Sequence, residues 1–148
     1  MKEKHIVASI LWAPYENDGG GVYIMHKRTE GEDNGEVGQL ALYGGEIKKT
    51  DKTHAHAASR ELAEESGLEY PAERFKWDNF IFAISERDGK ELLTQAEIFS
   101  LYLPGGIDLE NLPFRNGVAM SEREVARAKI LGELSSVATA AFGKVKGI

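Results

Sequence analysis

The run from Ala55 to Glu65 is made almost wholly of good helix formers, and it stands between segments rich in β-branched and aromatic residues. That alternation constrains the architecture more than any other feature, because each apolar face has to be buried against another element. "HIVASILWAP" and "GVYIMHKR" read as paired strands, with turn chemistry in the intervening "ENDGGG". A polar, glycine-rich loop, "TEGEDNGEVG", leads to "QLALYGG", a short strand that ends on two glycines. Thr50, Asp51 or Thr53 supplies the N-cap of the helix, and Gly67 ends it. "FKWDNFIFAIS" and "QAEIFSLYL" read as two further strands separated by the charged loop "ERDGKELLT", where Asp88-Gly89 suits a turn. Pro104 and the two glycines after it close the second of these strands, and "GIDLENLPFRNGVAM" reads as irregular. Ser121 with Glu124 makes a capping box for a helix through about Leu131, and a short helix over about Leu134 to Phe142 follows. The order strands, helix, strands, helix predicts a single domain over residues 1–148, an α/β or α+β sandwich with helices covering a mixed sheet.

Composition narrows the chemistry. A chain of 148 residues with 42% hydrophobic composition is large enough to bury one core. No apolar run approaches the roughly 20 residues needed to span a bilayer, and "MKEKHIVASILW" lacks the apolar region and cleavage site of a signal peptide, so the expected location is cytoplasmic. With zero cysteines, any metal is held by carboxylates, imidazoles or carbonyls. A net charge of −6 disfavours polynucleotide, whereas a small anionic substrate remains compatible if a divalent cation bridges it to the protein.

On a helix, Ala55, Ala58, Ser59, Leu62 and Ser66 form one small or apolar stripe, and Glu61, Glu64 and Glu65 occupy an adjoining arc of roughly 100°. Glu61 and Glu65 repel at i,i+4 by a few tenths of a kcal/mol unless a cation lies between them. A solvated acidic face is the plain reading of such a cluster. "YGGE" is the first feature that shifts the weight, since adjacent glycines between a strand and a helix permit close backbone approach and can offer a carbonyl to the same metal, plain turn glycines being the other reading.

Gly45, its connecting loop and "RELAEESGL" resemble the Nudix box of the Nudix hydrolases. Arg60, Glu61, Leu62, Glu64, Glu65, Gly67 and Leu68 match every fixed position in the second half of that box. In the first half, fifteen positions separate Gly45 from Arg60, one more than the family pattern. Asp51 stands where the family has glutamate, and Tyr43 where many members have proline. The resemblance implies a Nudix-like α/β/α sandwich and hydrolysis of a nucleoside diphosphate linked to another group X. It implies Mg²⁺ or Mn²⁺ as cofactor, with Glu61 and Glu65 as principal metal ligands, Glu64 as an additional one and the Gly45 carbonyl as a further contact. Catalytic roles fall on Glu61, as first choice of general base, on Glu64, and on Arg60, which would orient a box glutamate through a bidentate pair. Glu97, Glu110 and Glu124 are candidate bases outside the box. A homodimer is common among relatives, although nothing in this sequence marks an interface. A catalytically weak, nucleotide-sensing module is the alternative that the altered first half of the box suggests.

Lys27 and Arg28 close the second strand beside the predicted substrate loop and are candidate phosphate contacts, a solvated strand end being the other reading. Glu97 completes the substrate-binding candidates. His54 and His56, two apart on a helix, point to different faces and read as exposed. Trp12, Trp77, Tyr43 and Phe80 include candidate base-stacking partners, but aromatics in strands are usually core, and none is assigned to a nucleobase.

Overall fold

The computed structural model describes residues 2–15, 19–29, 37–87 and 89–148. Parts of three expectations lie outside the described residues: the turn at 16–18, the loop at 30–36, and Asp88 of the Asp88-Gly89 turn. The fold is an α/β/α sandwich around a mixed, seven-stranded sheet.

Strand β1 (Lys2–Pro14) is its axis. It runs parallel to β6 (Lys90–Tyr102) from Lys2↔Leu92 to Trp12↔Tyr102, and β5 (Lys76–Arg87) pairs antiparallel with β6 at the edge. On its other side β1 pairs with β2 (Gly21–Lys27), from Pro14↔Gly21 to Leu11↔Ile24. The two strands then part, and the chain at 40–46 fills the gap. There β3 (Leu40–Ala41) pairs with the end of β2, and β4 (Tyr43–Glu46) pairs with the first half of β1. The double glycine is therefore set inside the sheet, on β1, and not in a free turn.

Side chains alternate along β1, and the alternation builds both halves of the core. Ala8 and Ile10 face α2 (Glu122–Ile130) and α3 (Ser136–Ala141), whose Val125, Ala128, Ala138 and Ala141 are buried there. Val7, Leu11 and Ala13 face α1 (His54–Ser66), which buries Ala57, Ala58 and Leu62. Leu62 is fully buried, a burial that stabilises by about 1.5–3 kcal/mol. It anchors the helix face next to the glutamates.

Helix α1 begins one residue earlier than the propensity run. Of the three N-cap candidates Thr53 takes the position, its Oγ1 accepting the His56 N–H at 3.1 Å. Gly67 ends it in the left-handed region at φ 83°. The capping box at Ser121 and Glu124 forms with both of its hydrogen bonds. The last helix continues as a π turn over Phe142–Lys146.

Several expectations are corrected. Most of "ERDGKELLT" is strand: β5 reaches Arg87 and β6 starts at Lys90, because a long hairpin satisfies its backbone across the ladder whatever the polarity of its outward side chains. "GIDLENLPFRNGVAM" ends in strand β7 (Gly117–Met120), paired with β2 from Tyr23↔Met120 to His26↔Gly117. Trp77 and Phe80 are not core. They lie on edge strand β5 at 52% and 43% exposure, whereas Tyr43 is buried and Trp12 packs against the core.

Candidate functional site

The register of β4 on β1 explains why glycine occupies both 44 and 45. A Cβ on Gly44 would lie 2.2 Å from the Val7 carbonyl oxygen and 2.8 Å from Ala8 Cα, so this position seals the strand against β1. A Cβ on Gly45 would lie 2.5–2.7 Å from the carboxylate of Glu61. The bare Cα of Gly45 is thus the floor on which Glu61 rests. Glu65, one helical turn on, accepts the Gly44 N–H at 2.7 Å. The backbone at 44–45 and two of the three box glutamates meet in one place, as the helical spacing of four predicts.

Glu64 is turned outward, its side chain 50% exposed, and it meets Arg60 at 3.2 Å. Arg60 organises the rest. Its Nε and Nη2 each donate to the Asp51 carboxylate at 2.9 Å, its Nη1 donates to Glu61 Oε1 at 3.0 Å, and its Nη2 also donates to the Glu46 carbonyl at 3.0 Å. The bidentate partner of Arg60 is Asp51 and not a box glutamate. The one-residue-longer loop brings this shorter carboxylate back to the guanidinium, and the Asp51 side chain is only 6% exposed. The hydrogen bonds from Arg60 hold the Asp51 carboxyl down to about 2, and the same carboxylates raise the Arg60 guanidinium.

Glu61 shifts the other way. Burial pushes its carboxyl up, only partly offset by the Arg60 hydrogen bond, and the nearby Glu64 charge adds to the rise. A half-buried carboxylate raised in this way is held at a cost that a cation would remove. The donors around Gly45 are oxygens only, which suits a hard divalent ion, and the missing Cβ lets the Glu61 carboxylate lie against the Gly45 backbone. Glu61, Glu65 and the Gly44–Gly45 backbone therefore fit a hard divalent ion.

Two residues that sequence reasoning missed hold the far end of this helix. The Arg115 backbone N–H donates to the Ser66 carbonyl at 3.0 Å, and its guanidinium lies 3.4 Å from the Glu64 carbonyl, placing a cation at the helix C-terminus. Tyr43, the residue before the glycines, donates its hydroxyl to the Arg115 carbonyl at 2.8 Å. No local pattern announces either contact, since the partners lie 72 and 51 positions apart.

Lys27 and Arg28 line a cleft of about 510 Å³ together with Gly38, Asn116 and Gly117. Asn116 follows Arg115, so the cleft adjoins the segment that holds the end of α1. Arg28 donates to Gln39 Oε1 at 2.6 Å, which fixes its guanidinium on the cleft wall. Glu97 lies elsewhere. It is on β6, opposite Val7, with β1 between it and Gly45, and it engages His5, His54 and Trp77. Glu124 is occupied by its capping box, and Glu110 lies in an exposed turn whose backbone N–H donates to Asp108. His54 and His56 diverge as expected, but His54 meets Glu97 and is not simply solvated.

No family model matches the chain, and no curated protein matches it in sequence. Solved structures do match. A Nudix hydrolase from M. smegmatis is similar with a TM-score of 0.62 at 20% identity, over 99% of this chain and 86% of that one. The C. elegans Ap4A hydrolase is similar at 0.57 and 14%, over 99% of this chain and 95% of that one. The Nudix domain of Shewanella oneidensis NrtR, solved with ADP ribose, is similar at 0.56 and 15%, over 92% and 81%. These likenesses show that the chain has the Nudix fold.

Proposed function

We propose that this Nudix-fold chain is a metal-dependent pyrophosphohydrolase that cleaves the diphosphate bridge of a nucleoside diphosphate linked to another group X. The observation that carries the reading is the seating of Glu61 on the bare Cα of Gly45, with Glu65 on the adjoining Gly44 N–H. Among the candidate classes of dinucleoside polyphosphate, nucleotide sugar and ADP-ribose, the similar Ap4A hydrolase supports the first and the similar ADP-ribose complex the last.

Glu61, Glu65 and the backbone at Gly45 would hold Mg²⁺ or Mn²⁺, with Glu64 as a peripheral ligand. When bound, such an ion neutralises phosphate oxygens and lowers the pKa of water. The protein supplies the rest. Glu61 takes a proton from the attacking water. The water oxygen bonds to a phosphorus of the bridge, and the P–O bond to the departing phosphate breaks. A nucleotide and a phosphorylated X are the products. Arg60 holds Glu61 in place from its anchor on Asp51. Lys27 and Arg28, on the cleft wall, receive phosphate or the distal group.

The alternative is a nucleotide-sensing module without turnover. It rested on the altered first half of the box, and the Asp51–Arg60 pair weakens it, because the longer loop still delivers a carboxylate to Arg60. A panel of nucleoside diphosphate compounds incubated with Mg²⁺ or Mn²⁺ and read by mass spectrometry tests the proposal. Nucleotide products from at least one class support it; no product from any class, with metal binding intact, favours the sensing module.

A further inference from the structure

We propose a second metal site, for a first-row transition ion such as Zn²⁺, formed by His5, His54 and Glu97. The three donors come from β1, the first turn of α1, and β6, and their ligand atoms all lie within 4.8 Å of one another. His5 Nε2 faces Glu97 Oε2 at 3.6 Å, and His54 Nδ1 faces Glu97 Oε1 at 3.8 Å. A carboxylate flanked by two imidazoles, each opposite its own oxygen, is a nitrogen and oxygen donor set that Zn²⁺, Co²⁺, Ni²⁺ and Cu²⁺ accept and Mg²⁺ does not prefer.

The sheet register builds the cluster. His5 is paired with Gln95 and Val7 with Glu97, so His5 and Glu97 are diagonal neighbours on the face that carries α1. The Thr53 cap starts α1 above that face and makes His54 its first residue. Donors around a tetrahedral Zn²⁺ are separated by about 3.4 Å, given metal–ligand bonds of about 2.0–2.2 Å. The two imidazole–carboxylate gaps exceed this by a few tenths of an ångström, and with one ligand atom per residue, all within 4.8 Å of one another, the widest gap closes by about 1.4 Å at most. The His5 and His54 side chains, 44% and 47% exposed, have room to turn, while Glu97 is 14% exposed and fixed.

Two surroundings favour ligation over a plain ion pair. The Trp77 indole N–H donates to Glu97 Oε1 at 3.1 Å, the kind of outer hydrogen bond that orients a ligating carboxylate. The rings of His5 and His54 meet edge to face with centroids 5.4 Å apart, so two protonated imidazoles would repel there. The neutral imidazole is the ligating form. With three protein ligands, one coordination position stays open.

This site is distinct from the carboxylates near Gly45. His54 and Glu61 are seven residues apart on one helix, about 10 Å along its axis. The inference stands whether or not the chain hydrolyses nucleotides. It is tested by calorimetric titration of the full chain, stripped with chelator and supplied with excess Mg²⁺, using Zn²⁺, together with visible absorption of Co²⁺. One equivalent of Zn²⁺ is expected to bind and to raise the melting temperature. His5→Ala and His54→Ala should each weaken binding by at least about 10–100-fold, since losing a ligand costs no less than losing an outer partner. His56→Ala and Glu65→Gln should retain it. In the wild-type chain, Zn²⁺ should shift the imidazole NMR signals of His5 and His54, a readout that needs no variant. Zn²⁺ binding that is absent, that survives both His5→Ala and His54→Ala, or that disappears in Glu65→Gln would overturn the site.

Discussion

Replacing Gly45 by alanine puts a methyl carbon 2.5–2.7 Å from the Glu61 carboxylate, whereas the same change at Gly44 puts one 2.2 Å from the Val7 carbonyl and 2.8 Å from Ala8 Cα. The two neighbours respond differently. A carboxylate at the end of a flexible side chain swings away at little cost to the fold, and restoring an ordinary contact of about 3.5 Å moves Glu61 by about 1 Å. A displacement of that size at a reacting centre costs about 10²-fold in rate. Gly45→Ala is therefore expected to keep its melting temperature within about 2 °C and to lose about 100-fold in kcat. Gly44→Ala drives a methyl into the backbone of β1, a form of overpacking worth about 1–3 kcal/mol. At about 2–4 °C per kcal/mol for a chain of this size, that is a drop of roughly 2–12 °C, centred near 6 °C. Thermal denaturation and metal-supported hydrolysis, run on both variants, check the contrast. Full activity in Gly45→Ala would show that Glu61 is not held in a working position by that glycine.

Asp51→Asn removes the charge from a bidentate pair and should destabilise by about 1.5–3 kcal/mol in urea unfolding near neutral pH. Because the Asp51 carboxyl is lowered to about 2, its contribution is present above the unfolded value near 3.8 and is lost as pH falls toward 2, so the gap between wild type and Asp51→Asn should narrow over that window. Glu61 has the opposite sign: its carboxyl is raised in the fold, so the ionised group opposes folding above its unfolded value. Glu61→Gln should consequently be at least as stable as wild type in chelator at pH 7, while its hydrolysis falls below detection. Ser121→Ala should cost about 1 kcal/mol through its helix cap and leave KM unchanged, as denaturant midpoints and kinetics will show.

Much of the fold was legible because its signals are local. The helix at α1, its glycine stop, the capping box at Ser121 and the alternating strands β1 and β2 are each written in a few adjacent residues. What was not legible depends on partners distant in sequence. Strand β7 exists because β2 offers it an edge, and the hairpin of β5 and β6 runs through charged residues because each strand completes the other's ladder. Trp77 and Phe80 look like core residues by composition and are exposed because β5 is an edge. In the site, the spacing of Glu61 and Glu65 and the presence of Gly45 placed them correctly relative to one another. The sequence left the role of Asp51 open, and only the folded loop makes it the partner of Arg60. The meeting of His5, His54 and Glu97 depends on strand register and helix placement, which no short motif carries.

The proposed function rests on Glu61 and Glu65, against Gly44 and Gly45, which would hold a divalent ion in a chain that cleaves a diphosphate bridge. The most direct measurement is nucleotide release from dinucleoside polyphosphate, ADP-ribose and nucleotide-sugar substrates as Mg²⁺ or Mn²⁺ is titrated into chelator-stripped wild type and Glu65→Gln. The account predicts product from wild type that rises with metal and saturates, and Glu65→Gln that needs far more metal for a small fraction of the rate. Metal-independent product, or equal metal dependence in the two proteins, would contradict it.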